Sequence, residues 1–205
     1  MGPILIGVVV FICCGLPAAA QDRLPPIPPG ALTDAQKTAI ADFKAARNAD
    51  LSGPFVPLLR SPELLTRTRA MGDYLRFRSA LPPRLSEFLI LLTARRWTQN
   101  YEWSVHEPIA RQAGLNAAIV DAIAEGRRPP QMPDAEDALY TLWDEIQRNQ
   151  SVSDATYARA VAAFGEQGVV DALGITGYYT LLAMVLNTAR TPLPAGAKPL
   201  TPFPR

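Results

Sequence analysis

Residues 84–97 read Arg84-Leu85-Ser86-Glu87-Phe88-Leu89-Ile90-Leu91-Leu92-Thr93-Ala94-Arg95-Arg96-Trp97. On a helix, Leu85, Phe88, Leu89, Ile90, Leu91, Leu92 and Ala94 cover the whole circumference. A helix that is apolar on every side belongs in the middle of a fold, with other elements around it. Pro82-Pro83 fixes where it begins, because neither ring tolerates a helix interior. Working outward, the same 3.6-residue period recurs almost everywhere. Thr33 to Asn48 is amphipathic, with Ala35, Ala39, Ile40 and Phe43 on one side. Leu51 to Pro57 reads as a loop. Ser61-Pro62-Glu63 is a helix start, with Ser as N-cap and Pro at the first helical position. That helix is expected to reach about Ala80, packing through Leu64, Leu65, Thr68, Met71, Leu75 and Phe77.

Further helices are expected over Asn100–Ala113, Asn116–Glu125, Asp134–Asn149, Ser153–Phe164 and Val169–Ala189. The last is expected to pack through Leu173, Tyr178, Leu181, Leu182, Val185 and Leu186. No segment sustains the alternation of a strand. The expected fold is all-α, a single domain of seven or eight helices over residues 33–190.

Composition limits the function. The 205 residues carry 20 Lys+Arg against 19 Asp+Glu, a formal net charge of +1, which gives no general attraction to nucleic acid. Hydrophobic residues make up 48% of the chain, enough for a packed core. The 20 prolines are about twice the usual share. Nine of them gather in a lead-in over residues 21–32 and a tail over residues 191–205, which read as extended arms, disordered or draped on a neighbouring subunit.

Residues 1–20 are uncharged, with an apolar run from Ile4 to Leu16 and small residues at Ala18-Ala19-Ala20. This is the pattern of a signal peptide. The expectation is cleavage after Ala20, export to a periplasmic or extracellular space, and no membrane span afterwards; the alternative is a segment kept as a membrane anchor. Cys13 and Cys14, the only cysteines, lie in that segment, so the mature chain would have no thiol chemistry.

His106 is the only histidine. Glu102 precedes it by four residues and Gln99 by seven, so a helix would project all three into one sector. Pro108 is expected to kink that helix. Glu87 stands alone in the apolar helix, and a buried carboxylate needs a partner. His106 is the obvious one. A Glu–His pair sheltered from water is a proton-transfer device, although such a pair is also found as a purely structural contact. Arg95 and Arg96 could anchor a carboxylate or simply face solvent. Tyr178-Tyr179 could be core with one hydroxyl reaching a cavity. One histidine and scattered carboxylates fit no metal site, and no phosphate-binding loop or cofactor motif is present.

The pattern Arg84-Leu85-Ser86-Glu87, then Tyr101-Glu102-Trp103-Ser104-Val105-His106, Ala110 and Gly114-Leu115, resembles the carboxymuconolactone decarboxylase family. That all-α family includes the alkylhydroperoxidase D-like proteins. Gly177-Tyr178-Tyr179 through Asn187 and Pro192-Leu193-Pro194 resembles its C-terminal helix. In the peroxidase branch a glutamate is followed by a Cys-x-x-Cys pair and a histidine. Here Glu87 and His106 match the glutamate and histidine, while Gln99 and Glu102 stand where the cysteines would be. A thiol peroxidase mechanism needs a thiolate, so the resemblance points to the cysteine-less, decarboxylase-like branch.

It implies cofactor-free acid–base chemistry on a small carboxylated lactone or aromatic-derived compound. His106, Glu102 and Glu87 would be catalytic. Arg95, Tyr101, Trp103 and Gln99 would shape the substrate pocket. It also implies a homo-oligomer, a trimer or hexamer. The alternative is a non-catalytic ligand-binding or assembly protein on the same scaffold.

Overall fold

The computed structural model describes residues 22–203. The signal-peptide expectation and both cysteines lie outside them. Eight α-helices are present among the described residues, with no strand. They are α1 (Asp34–Arg47), α2 (Phe55–Leu58), α3 (Pro62–Phe77), α4 (Pro83–Arg96), α5 (Asn100–Gln112), α6 (Ala117–Ala124), α7 (Asp134–Asn149) and α8 (Asp154–Ala189).

α4 is the centre, and every residue from Leu85 to Arg95 is buried. It packs against α5, α8, α7, α6 and α3, while α1 pairs with α3, which also leans on α8. Five packed neighbours are the physical reason for an all-round apolar sequence. Thr93 of α4 also accepts a hydrogen bond from the Trp143 indole of α7.

The termini follow local chemistry. α1 opens on a capping box, in which Thr33 Oγ1 accepts from the Gln36 backbone and Gln36 Oε1 accepts from the Thr33 backbone. α8 is interrupted at Gly165, whose φ of 70° and ψ of 169° split it where the sequence suggested two helices. By length and composition α8 could cross a membrane, but most of its apolar stretch is buried inside the fold and it carries the buried Asp171. That carboxylate accepts from the Tyr74 hydroxyl (3.0 Å) and the Ala80 backbone (2.7 Å), tying the end of α3 to α8.

Several expectations are corrected. The segment 51–57 is not all loop, because Phe55, Pro57 and Leu58 bury themselves by turning into α2. Ser61 makes no capping bond through its side chain, and α3 stops at Phe77. Leu64, Met71 and Phe77 of α3 are exposed, as is Leu173 of α8. α3 instead buries Leu65, Thr68, Gly72 and Leu75.

The arms are draped on this chain's own body. The Arg60 guanidinium donates to the Leu24 and Pro25 carbonyls, and Arg23 N–H donates to the Ala189 carbonyl at the end of α8. In the tail, Leu200 is buried and its N–H donates to Asn100 Oδ1.

Candidate functional site

The tight link between α4 and α5 sets the site. Thr98 takes a left-handed φ of 44°, and Gln99 stands extended as the N-cap of α5. Gln99 Oε1 accepts from the backbone N–H groups of Tyr101 (2.6 Å) and Glu102 (3.1 Å). Its amide donates to Asn187 Oδ1 of α8 (3.0 Å), and Asn187 Nδ2 donates to the Trp97 carbonyl. The link is thereby bolted to α8, and the pitch of α5 is fixed relative to α4.

That geometry brings His106 of α5 against Glu87 of α4. His106 Nδ1 and Glu87 Oε2 are 2.7 Å apart, with the residues 5% and 6% exposed. The other ring nitrogen, Nε2, makes no hydrogen bond with the described residues. His106 lines a cavity of about 150 Å³, together with Glu102, Tyr101, Tyr178, Tyr179, Arg47 and Arg76. Tyr179 meets the imidazole edge-on at 5.0 Å, and Tyr178 meets Tyr179 the same way at 5.2 Å. Burial pushes the Tyr178 phenol up to about 12, opposed by the nearby Arg47 guanidinium, and pushes the Tyr179 phenol well above its ordinary value. Both phenols are therefore neutral at pH 7.

Glu102, one turn before His106, does not pair with it. It is 3% exposed, and neither carboxyl oxygen has a hydrogen-bond partner. Burial drives its pKa well up from the ordinary carboxylate range. A carboxyl biased towards its protonated form can donate a proton or a hydrogen bond into the cavity.

Charge comes from elements distant in sequence. Arg47, at the end of α1, lies over the Phe55 ring and bonds Asp73 through Nε and Nη2. Asp73 also takes Arg69. Arg76 has no carboxylate partner among the described residues, and its Nε is sealed without an acceptor. The cavity is thus bounded by two guanidiniums and a carboxyl that resists ionisation, a surface that favours an anion.

Of the sequence candidates, His106, Glu102 and Tyr101 line this cavity and Glu87 holds His106. Gln99 is a helix cap and does not line it. Arg95 and Trp103 line a recess beside the C-terminal tail. Arg47 and Arg76 were missed. One available signal was Gly72, a glycine inside an amphipathic helix, which marks a close approach. A Cβ there would sit 2.2 Å from the Tyr178 hydroxyl.

Among the described residues no cluster of ligating side chains could hold a metal ion. No family model matches the sequence, and no curated protein does. Solved structures do match. An uncharacterised peroxidase-related protein from Silicibacter sp. TM1040 is similar at 14% identity and TM-score 0.68, over 91% of this chain and 97% of that one. An alkylhydroperoxidase AhpD core protein from Ralstonia eutropha JMP134 is similar at 18% identity and TM-score 0.64, over 81% and 88%. A debrominase, solved as a cysteine-to-alanine variant in complex with 2,3,4-tribromopyrrole, is similar at 11% identity and TM-score 0.64, over 86% and 94%. Together with the all-helical architecture, these likenesses give the chain an alkylhydroperoxidase D-like fold.

Proposed function

We propose that this chain is an exported, cofactor-free acid–base enzyme of carboxymuconolactone decarboxylase-like type, acting on a small carboxylated lactone or aromatic-derived acid. The observation that carries the reading is the 2.7 Å His106–Glu87 pair beside a cavity with two arginines and the buried Glu102 carboxyl. Arg76, and Arg47 behind it, hold the substrate carboxylate that stays. The leaving carboxylate departs as CO₂, and its bonding electron pair remains on carbon as an enolate. Glu102 donates a hydrogen bond to the enolate oxygen. His106 takes up a solvent proton at Nε2 and delivers it to the carbon, and Glu87 stabilises the transient imidazolium through Nδ1–H. The ring returns to its neutral form on delivery, so one carboxylate and one solvent proton become one C–H bond and CO₂. The same groups would serve a simple proton transfer beside a carbonyl.

Export rests on the pattern of residues 1–20. A homo-oligomer is supported by exposed apolar side chains such as Phe77 and Val170, which a second copy would cover.

The test combines a panel of carboxylated lactones and keto acids with CO₂ release and deuterium uptake at the acidic carbon. The expected result is turnover by the wild type that collapses in His106→Gln while the thermal midpoint holds. Turnover unchanged in His106→Gln contradicts the reading. Binding without turnover supports a non-catalytic role for the same cavity.

A further inference from the structure

A second cavity, of about 340 Å³, shares no residue with the first. It opens at the last turn of α4, between the end of α6, one face of α7 and Phe203 of the tail. Three of its walls are aromatic: Tyr140, Trp143 and Phe203. Its charge is lopsided, with Arg95, Arg96, Arg127 and Arg148 against Asp144 alone. Asp144 is taken by Arg148 and Arg127 pairs with Glu125, whereas Arg95 and Arg96 have no carboxylate partner among the described residues.

Arg95 is the decisive residue. It is only 5% exposed, and a guanidinium keeps its charge at any ordinary pH. Its Nη1 donates to the Thr201 carbonyl (2.9 Å), while its Nε is sealed with no acceptor. The Phe203 ring lies 3.7 Å from the guanidinium carbon. A buried cation without an anion is costly, and the cost is recovered when an anion arrives. The aromatic wall is built in as well. Gly126, with a φ of 74°, leaves the space that Phe203 fills, since a Cβ there would be 2.2 Å from the ring. The bond from the Leu200 N–H to Asn100 anchors the tail that carries this ring.

We propose that this cavity is a binding site for a small aromatic carboxylate. The carboxylate sits at Arg95 and Arg96, and the ring lies among Trp143, Tyr140 and Phe203. The volume is in the range of small-molecule pockets, and the mix of aromatic walls with a few cations selects a planar organic anion over a bare inorganic one. The lining offers neither histidine nor cysteine, and the proposal is of binding alone.

The test is titration calorimetry of the full chain with 2-naphthoate and, separately, neutral 2-naphthamide. Naphthoate is expected to bind at least about tenfold more tightly than naphthamide. Arg95→Gln and Phe203→Ala are each expected to weaken naphthoate by about tenfold or more, and His106→Gln to leave it unchanged. Phe203→Ala removes only a ring from the tail, so it decides the matter if Arg95→Gln fails to fold. No naphthoate binding at millimolar concentration, equal binding of the amide, indifference to Phe203→Ala, or loss in His106→Gln would each overturn the proposal.

Discussion

Glu102→Gln replaces a buried carboxyl with a neutral group of nearly the same shape. Glu102 is 3% exposed, both its oxygens lack partners, and burial raises its pKa well above the ordinary range. In the unfolded chain the same carboxyl titrates near ~4.3. Above that pH the unfolded state loses a proton that the folded state keeps. Stability from this group is therefore complete below ~4.3 and drains away as pH rises, until the folded carboxyl ionises too. One proton gives a slope of about 1.4 kcal/mol per pH unit. For a chain of this length each kcal/mol moves the thermal midpoint by roughly 2–4 °C, so the wild type should lose about 3–6 °C per pH unit relative to Glu102→Gln. The assay is thermal unfolding by circular dichroism for both proteins between about pH 5 and pH 8. Every other titrating group is shared, so their difference isolates Glu102. Midpoints that run parallel across that range would refute the claim that Glu102 is held neutral.

Two further predictions concern how the site is positioned. Gly72→Ala would put a Cβ 2.2 Å from the Tyr178 hydroxyl, more than ~1 Å inside ordinary contact. Overpacking costs about 1–3 kcal/mol and better helix propensity returns about 1 kcal/mol. A net loss of up to about 2 kcal/mol in denaturant unfolding is expected, with displaced His106 ring signals because Tyr178 and Tyr179 pass the shift inward. Gln99→Ala removes the acceptor for two α5 N–H groups and the link to Asn187, and should cost about 1 kcal/mol or more by the same measurement. No change in stability would mean that the α4–α5 link does not depend on that cap.

The central helix, the break at Gly165 and the Glu87–His106 pair could be read in advance because each depends on local pattern. An apolar circumference needs neighbours on all sides whichever they are, and a single histidine is the natural partner for a single carboxylate in the core. Direction along a helix was harder to foresee. Arg95 is eight residues beyond Glu87, which places it about 12 Å further along α4 and rotated by roughly 80°, so it faces the tail instead of the His106 cavity. Trp103 is turned by about 100° from Glu102 and leaves the site for the same reason. Gln99 keeps the right spacing but stands at an extended N-cap, where helical periodicity no longer applies. Arg47 and Arg76 reach the cavity only through the packing of α1 on α3 and of α3 on α8, which no local pattern announces.

The most direct test of the central claim is a long-range ¹H–¹⁵N correlation spectrum of His106, which as the only histidine needs no assignment. The account predicts a neutral ring protonated at Nδ1 towards Glu87, with a bare Nε2 whose signal moves when a carboxylated lactone or keto acid is added. A ring protonated at Nε2 and unmoved by every such compound would contradict it.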